Sequence, residues 1–406
     1  MSGILMMSVG NSYGYKPVNT VAPAVTGTAS VGQTLSCSTG TWDAAPPSIT
    51  YTYQWQRGTT NISGATSSTY VIQSADAGNT LRCVVTATNA VGATSANSNS
   101  TATVVQAPVN TVAPVVSGTA QVGQTLSSTT GTWTGTPTPT YTYQWQRNGS
   151  NIGGATGSSY ALVPADDGKN IRCVVTATNA VGSVSANSNA TAAVASPTFG
   201  SAYGGGYFTG KIVQGGSTYY LIVAPKSSGE TSGKQWKTSA DAAPSATITL
   251  NNGPAASASM NSSEYPAAQF CEGLSIGGYT DWYLPSRDEL ELCYRNLKPT
   301  TAANNTSARN KSSYTYPEGN DVSGDTMGIN RNSNPTGAAY TSSVPAQTSV
   351  TLFQTGNSEA FAAGGYWSSS EYSAKFAWDQ FFEIGSQLYN NKDFSRNVRA
   401  VRRIPA

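Results

Sequence analysis

Apolar and polar residues alternate in short runs through the first half of the chain. In one run, Tyr51, Tyr53 and Trp55 fall on the same face of an extended strand. A second run places four apolar side chains on one face in the same way: Leu81, Cys83, Val85 and Ala87. Breaks rich in Gly or Asn separate these runs. The spacing predicts short β-strands joined by turns rather than long helices.

This strand pattern occurs twice along the chain. Three segments of the first copy recur in the second: Val18–Pro23 as Val109–Pro114, Tyr51–Arg57 as Tyr141–Arg147, and Arg82–Gly92 as Arg172–Gly182. The offset between copies is 91 residues up to Trp133 and 90 residues from Tyr141 onward. We therefore predict two copies of one domain, residues 17–107 and residues 108–197.

The repeated unit resembles an immunoglobulin-like sandwich in its length. The first copy also has the order of three residues typical of that fold, Cys37, Trp55 and Cys83. The approach to Cys83 through Asp76-Ala77-Gly78 strengthens the resemblance. The sequence departs from the immunoglobulin pattern because Leu81, and Ile171 in the second copy, occupy the place where a tyrosine corner would put Tyr.

A second departure concerns the cysteine pair. Ser128 stands in the second copy where Cys37 stands in the first, which leaves Cys173 without a cysteine to pair with. Losing an essential disulfide costs ~2–5 kcal/mol, yet the apolar pattern of the second copy is intact. We therefore expect both copies to fold without disulfides and to be assembled in a cytoplasm. Whether Cys37 and Cys83 are bridged stays open.

Composition excludes several kinds of chemistry. Charged residues make up 10 % of the 406 residues, and His is absent. Without His, a Ser-His-Asp triad, His-ligated zinc and an imidazole base are excluded. Residues 1–197 contain 6 Lys/Arg and 4 Asp/Glu, and the remainder contains 16 of each. Neither part is basic enough to indicate a nucleic-acid groove.

The first residues are apolar, but Met1–Gly10 lacks the cationic region, the long apolar core and the cleavage site of a signal peptide. No stretch of the sequence approaches the ~20 apolar residues of a membrane helix. We interpret residues 1–16 as a docking peptide that inserts into a partner protein. A disordered start is the alternative that the sequence leaves open.

Residues 198–406 have a different pattern, which begins after a linker predicted at Ala195–Gly200 and Tyr203–Gly206. A hairpin follows, with strands at Tyr207–Val213 and Thr218–Ala224. One short helix is predicted after Pro266, and it stops at Gly277-Gly278. A second helix begins at the capping box of Ser286, ends at Pro299 and buries one face. That face consists of Leu290, Cys293, Tyr294 and Leu297.

Several side chains of this region are candidates for catalysis or for binding a metal ion. Asp288 and Glu289 form an acid pair, but carboxylates are favoured in the first turn of a helix, so we expect a structural role. Cys271 and Cys293 are expected on buried helix faces. Residues 300–365 form a long polar loop that carries oxygen ligands suited to Ca²⁺: Glu318, Asn320, Asp321 and Asp325. No EF-hand pattern accompanies them, and we expect no cofactor.

The end of the chain carries the most specific motifs. Asp281-Trp282-Tyr283-Leu284-Pro285-Ser286, Tyr366-Trp367-Ser368-Ser369-Ser370 and Val398-Arg399-Ala400-Val401-Arg402 resemble the C-type-lectin-like C-terminal domain of collagen-like bacterial adhesins. The segment also resembles the C-termini of phage tail proteins and of tropism proteins diversified by retroelements. The predicted fold class is mainly β, with two immunoglobulin-like β-sandwiches followed by an α+β C-type-lectin-like domain.

In the related variable proteins, recognition falls between the Trp-Ser-Ser opening and the final strand. The matching positions are Phe376, Asp379, Phe381, Glu383, Ser386, Leu388, Tyr389, Asp393 and Phe394. A competing interpretation makes Trp378, Phe382 and Ile384 the core face of a strand. Alternation separates the two sets, and we predict that Trp378 points inward because it is the largest apolar side chain.

These features favour a binding protein of a virion, assembled in the host cytoplasm. The expected form is a tail fibre or appendage whose C-terminal domain recognises a host surface glycan or protein receptor, while the N-terminus binds other virion proteins. A capsid decoration protein and a bacterial surface adhesin are the alternatives, and a homo-oligomer stays open. Formylglycine-generating enzymes share a related fold, but their chemistry needs a thiol pair in an active-site cleft. The cysteines of the C-terminal domain are expected on buried helix faces instead, so we expect no enzyme.

Overall fold

The computed structural model describes residues 14–309, 314–318 and 325–406. Of the predicted docking peptide, residues 1–13 lie outside this part of the chain. The described chain is mainly β and divides into two compact units. One comprises residues up to Gly118 with Leu126–Tyr160 and Asn170–Thr191, and the other comprises Thr119–Thr125, Ala161–Lys169 and Ala192–Ala406. No described helix is both long and apolar enough to cross a bilayer.

The first repeat forms three antiparallel sheets from nine strands. The strands are β1 Tyr15–Val21, β2 Val25–Thr26, β3 Thr34–Cys37, β4 Thr41–Ala45, β5 Thr50–Arg57, β6 Thr60–Asn61, β7 Thr69–Val71, β8 Leu81–Asn89 and β9 Gly92–Asn97. Their sheet orders are β1-β4, β2-β3-β7 and β6-β5-β8-β9. Short strands with alternating apolar residues leave one face of each sheet for the core.

The core of the first repeat is built on Trp55, which is fully buried. Leu81, Cys83, Val85 and Ala87 are also fully buried, as their alternation predicts. The rings of Tyr51 and Tyr53 pack against this core while remaining partly exposed. The Trp55 indole donates from Nε1 to the carbonyl of Ser67 at 2.9 Å, so the buried polar atom is satisfied.

The second repeat has nine strands in the same order. They are β10 Gln106–Val112, β11 Val116–Ser117, β12 Thr125–Ser128, β13 Thr132–Thr136, β14 Thr140–Arg147, β15 Ser150–Asn151, β16 Ser159–Ala161, β17 Ile171–Asn179 and β18 Gly182–Asn187. Their sheet orders are β10-β13, β11-β12-β16 and β15-β14-β17-β18. Trp145, Ile171 and Cys173 are fully buried, which matches the corresponding residues of the first copy.

All five cysteines are free and buried. The Cys37 thiol donates to the carbonyl of Ser38 at 3.3 Å. The neighbouring Cys83 thiol and burial raise the pKa of Cys37. In the second repeat burial raises the pKa of Cys173, and the neighbouring Ser128 hydroxyl lowers it in part. Ser128 occupies the place of the missing thiol, and its hydroxyl donates to the carbonyl of Thr129 at 3.0 Å.

Beyond Thr191 the described residues form two further sheets and four α-helices. The strands are β19 Ala202–Tyr203, β20 Gly206–Gln214, β21 Ser217–Val223, β22 Glu230–Gln235, β23 Gly365–Glu371, β24 Phe376–Phe381, β25 Gln387–Asn391, β26 Ser395–Arg399 and β27 Val401–Pro405. The helices are α1 Lys226–Gly229, α2 Gly253–Ser259, α3 Pro266–Glu272 and α4 Arg287–Leu297. The sheet orders are β19-β20-β21-β27 and β22-β26-β23-β24-β25.

The linker prediction needs one correction. Tyr203–Gly206 is not a linker but the turn of a hairpin, in which Tyr203 pairs with Gly206. Gly204 and Gly205 have φ angles of 58° and 84°, which a two-residue turn between right-handed strands requires. The predicted hairpin of β20 and β21 is confirmed, and its turn lies at Gly215 and Gly216.

Helix α4 anchors the core of the C-terminal domain, and its predicted capping box is present. Ser286 donates to the carboxylate of Glu289 from its backbone nitrogen and from its hydroxyl, each at 2.8 Å. Glu289 also accepts a hydrogen bond from Arg403 at 2.6 Å and is fully buried. This member of the predicted acid pair is therefore a structural group. Four predicted apolar residues of this helix lie in the core cluster: Leu290, Cys293, Tyr294 and Leu297.

The segment after α4 has little regular structure where it is described, as predicted. Side-chain hydrogen bonds hold it to the helix instead. Asn304 accepts from the Tyr294 hydroxyl and from the Lys298 ammonium, both at 2.7 Å. Asn330 donates to the Asp288 carbonyl at 2.8 Å. The polar composition of the segment therefore serves partly to attach it to the core.

Candidate binding face of the C-terminal domain

The predicted binding residues lie on two strands and their turns at one side of the five-stranded sheet. Strand β24 is paired with β23 on one side and with β25 on the other, and β25 is the outermost strand. Within the second pair, Phe376 lies opposite Asn391 and Trp378 lies opposite Tyr389. This arrangement brings residues that are distant along the segment next to each other on the sheet.

Trp378 points inward, as predicted, and is fully buried. Its Nε1 donates to the Tyr316 hydroxyl at 2.7 Å, and the Arg287 guanidinium lies 5.2 Å from its ring centre. Phe382 is fully buried as well. The third residue expected on the core face, Ile384, is 37 % exposed, so that part of the interpretation is wrong. The strand ends at Phe381, and the chain turns before Ile384.

The outward orientation predicted for Asp379 is wrong. Asp379 is buried, and its Oδ2 accepts from Arg396 at 2.9 Å and from Asn390 at 2.8 Å. Burial raises the pKa of Asp379, and the bonds from Arg396 and Asn390 lower it in part. Alternation failed here because the Arg396 side chain, which comes from β26, covers the face that we expected to meet solvent.

Two further predicted residues are covered. Ser386 is buried, and its hydroxyl oxygen accepts from the Asn305 amide at 2.8 Å. Leu388 is only partly buried but packs against the main apolar core. These two side chains position the turn and strand β25, so a partner would meet the residues beside them first.

An aromatic cluster occupies the far end of the strand pair. Phe376 and Tyr389 are half-buried, and their ring centres are 5.3 Å apart in an edge-to-face arrangement. Tyr372 stacks on Tyr389 with 3.9 Å between ring centres and 6° between ring planes. Sequence reasoning identified Phe376 and Tyr389 but missed Tyr372. Its position directly after the Trp-Ser-Ser-Ser-Glu motif was the available signal.

The turns carry the exposed members of the predicted set. Glu383 lies in the turn after β24, and Asp393 and Phe394 lie in the turn after β25. Phe394 is 47 % exposed. The exposed carboxylates can accept directional hydrogen bonds from a partner, and the exposed ring provides contact area.

Phe381 belongs to a separate, shallow groove of about 380 Å³. Three glycines, Gly233, Gly364 and Gly365, form part of its wall, together with Ser395, Arg396 and Asn397. The Arg396 guanidinium lies 5.7 Å from the Phe381 ring centre. The predicted set therefore does not form one patch: Phe376 and Tyr389 face the aromatic cluster, while Phe381 faces this groove.

The structure describes two of the four residues named above as Ca²⁺ ligands, Glu318 and Asp325. Asn320 and Asp321 lie outside the described residues. Glu318 accepts a hydrogen bond from Thr249, and Asp325 pairs with Arg331 at 2.6 Å. In the described part of the chain no group of three or more Cys, Asp or Glu side chains is arranged to hold a metal ion.

Comparison with known proteins finds one family model that matches part of the chain. Residues 228–402 match the family model of the Lcl C-terminal domain, a span that contains the whole candidate face. No curated protein matches the chain.

Solved structures similar to this chain include immunoglobulin proteins. Sidekick-1 immunoglobulin domains 1–5 match at 20 % identity and a TM-score of 0.24, over 51 % of this chain and 43 % of that chain. The mouse nectin-like molecule 4 ectodomain matches at 18 % identity and a TM-score of 0.23, over 46 % and 67 %. The chain spans under half of the Sidekick-1 structure.

Proposed function

We propose that this chain is a structural protein of a virion, a tail fibre or appendage whose C-terminal domain recognises a receptor on the host-cell surface. The observation that carries the proposal is the half-exposed aromatic cluster on the outermost strand pair, with exposed Asp393 and Phe394 in the turn at the same end of the pair. Exposed Glu383 lies in the turn at the other end. Rigid rings provide contact area at low entropic cost, and neighbouring polar groups provide specificity.

Two further observations support recognition by this domain. The Lcl match covers residues 228–402, the same region that resembles the C-termini of bacterial adhesins and phage tail proteins. The fold that we assign to it is C-type-lectin-like, because strand β21 pairs with the last strand β27 and so holds both ends of the domain together. Such a frame tolerates a long variable segment between its ends.

We assign the two sandwiches the role of spacers. Their surfaces carry mainly Thr, Ser, Asn and Gly, a composition that is soluble but unspecific. We assign residues 1–16 the role of a docking peptide for another virion protein. Deleting Met1–Gly10 is expected to leave the melting curve unchanged and to abolish incorporation into particles, and normal incorporation rejects the docking role.

The receptor proposal is tested by the binding of the labelled full chain to host cells. The variant Phe376→Ala/Tyr389→Ala/Phe394→Ala removes three rings of the face, and we expect a loss of ~2 kcal/mol or more in binding free energy. A matched control, Val109→Ala/Val112→Ala, removes exposed apolar side chains of the second repeat and is expected to bind normally. A triple variant with an unchanged melt and unchanged binding removes this face from the mechanism.

A capsid decoration protein and a bacterial surface adhesin are the alternatives. Electron microscopy of intact particles with a gold label on the C-terminus separates the three. Label on tail structures supports the proposal, and label spread over the capsid supports decoration. Label on uninfected bacterial cells that encode the chain supports an adhesin. We assign no enzymatic activity, and the complete burial of Cys271 and Cys293 supports that assignment.

A further inference from the structure

A cavity of about 940 Å³ lies in the unit that contains the C-terminal domain, away from the candidate face. Short segments of the chain line it: 196–201, 208–211, 292–296, 334–335 and 348–350. None of the nine predicted binding residues is among them. Ligand sites in proteins typically have volumes of ~300–1,000 Å³, so the cavity is large enough for a ligand of several rings.

One wall of the cavity is aromatic. Phe199 is 47 % exposed and stacks on buried Phe208, with 5.9 Å between ring centres and 11° between ring planes. Leu292 and Val350 continue the apolar surface. One face of Phe199 is therefore supported from within the protein, and the ring presents a flat apolar surface to a ligand.

The polar lining consists mostly of uncharged groups. Hydroxyl and amide side chains surround the apolar wall, at Ser196, Thr198, Ser201, Asn296, Asn334, Thr348 and Ser349. The two cations, Lys211 and Arg295, are already neutralised. Lys211 pairs with Asp167, and Arg295 pairs with Glu291 at 2.8 Å. The cavity therefore offers little net charge to attract an anion.

The Arg295 guanidinium is committed to the protein itself. One of its terminal nitrogens donates to the carbonyl of Ala338 at 2.8 Å and pairs with Glu291. Its Nε is buried and is closed to a ligand in the cavity. The floor beneath is closely packed, because a Cβ at Gly210 would lie 3.0 Å from both Asn296 Nδ2 and the Leu292 side chain.

We propose that this cavity is a binding site for a neutral saccharide. The C–H face of a pyranose ring stacks on an aromatic ring, and its hydroxyl groups exchange hydrogen bonds with amides and hydroxyls. The site described here provides both, on Phe199 and on the uncharged rim. The proposal is independent of the face formed by β24 and β25.

The test uses the full chain and saturation-transfer NMR, followed by calorimetry. The probes are cello-, malto- and chito-oligosaccharides, with oligogalacturonate as the acidic counterpart and N-phenyl-1-naphthylamine as an uncharged apolar counterpart. We expect at least one neutral oligosaccharide to bind. Phe199→Ala should weaken that binding about tenfold or more, while Phe199→Trp should retain it.

A matched pair of variants guards against loss of folding. Ser349→Trp fills the mouth of the cavity at an exposed position, and Ser343→Trp places the same ring at an exposed position outside it. We expect the first to abolish saccharide binding and the second to leave it unchanged. Four results would overturn the proposal: no neutral probe binds, only the acidic or apolar probe binds, Ser349→Trp binds normally, or Phe376→Ala/Tyr389→Ala abolishes binding while Phe199→Ala does not.

Discussion

The sandwich repeats and the C-terminal domain bury different kinds of side chain. The first repeat is centred on Trp55, Leu81 and Val85, all fully buried. Its ion pair of Asp76 with Arg57 is only half enclosed, because the Arg57 side chain is 34 % exposed. The C-terminal domain buries complete ion pairs as well, among them Glu371 with Lys392 and Glu359 with Arg399. Apolar cores need only the right pattern and volume, whereas buried charges must each meet a partner. We therefore expect the repeats to tolerate substitution and the C-terminal domain to hold its candidate binding residues in fixed positions.

The largest expected effect comes from breaking one of these buried pairs. Glu371 and Lys392 are almost completely buried, and Glu371→Gln leaves the Lys392 ammonium without its counter-charge. We expect a loss of ~3–5 kcal/mol in the free energy of unfolding of the C-terminal domain. Chemical denaturation followed by Trp fluorescence measures it. Asp241→Asn is the control, because Asp241 pairs with Lys237 but is 66 % exposed, and its effect should be much smaller.

A smaller effect is expected from the cysteine pair of the first repeat. Cys37→Ser reproduces the arrangement of Ser128 and Cys173 that the second repeat already tolerates. We expect a loss of about 1 kcal/mol in stability, and no change in the melting curve of either repeat when reductant is added. Differential scanning calorimetry with and without reductant measures both. Unfolding of the first repeat on reduction would show that a bridge is essential and would reject assembly in a reducing compartment.

The pH dependence of the free energy of unfolding reports on one buried carboxylate, Asp379. Because burial raises the pKa of Asp379, the folded protein holds a proton there more tightly than the unfolded chain does. The stabilisation from Asp379 is thus present below its unfolded pKa of about 3.9 and is lost as pH rises through the higher folded pKa. Asp379→Asn should remove this contribution and cost under about 1 kcal/mol near pH 7. A wild type that gains stability over the variant as pH rises from 4 to 7 would contradict this.

The smallest effect concerns the thiols of the C-terminal domain. Complete burial raises the pKa of Cys293 to about 12, and burial also raises that of Cys271. Neither thiol should react with iodoacetamide at pH 8 in the native chain, and both should react after denaturation. Mass spectrometry of the labelled peptides measures this. Rapid native labelling of both would place them in an open cleft and would reopen the enzyme alternative.

The repeats were predictable because each strand has one buried and one solvated face. Trp55 and Cys83 could be assigned to the core from alternation alone, and the loss of Cys37 in the second copy could be read directly. Helix α4 was predictable for a similar reason, since its capping box and its apolar face are local features.

The candidate face was less predictable because both faces of β24 are covered. Ala377, Trp378, Asp379 and Gln380 are all buried, so alternation carries no information there. The covering groups come from distant parts of the sequence, such as Arg396 over Asp379 and Tyr316 beside Trp378. The stacking of Tyr372 on Tyr389 likewise depends on a turn whose geometry no local pattern encodes.

The central claim is that recognition lies on the C-terminal face and not on the repeats. Hydrogen–deuterium exchange of the full chain, with and without isolated envelopes of cells that it binds, tests this most directly. We predict that protection from exchange is confined to residues 372–395, with residues 17–197 exchanging equally in both states. Protection within 17–197, with none in 372–395, would contradict the account and would make the sandwiches the binding modules.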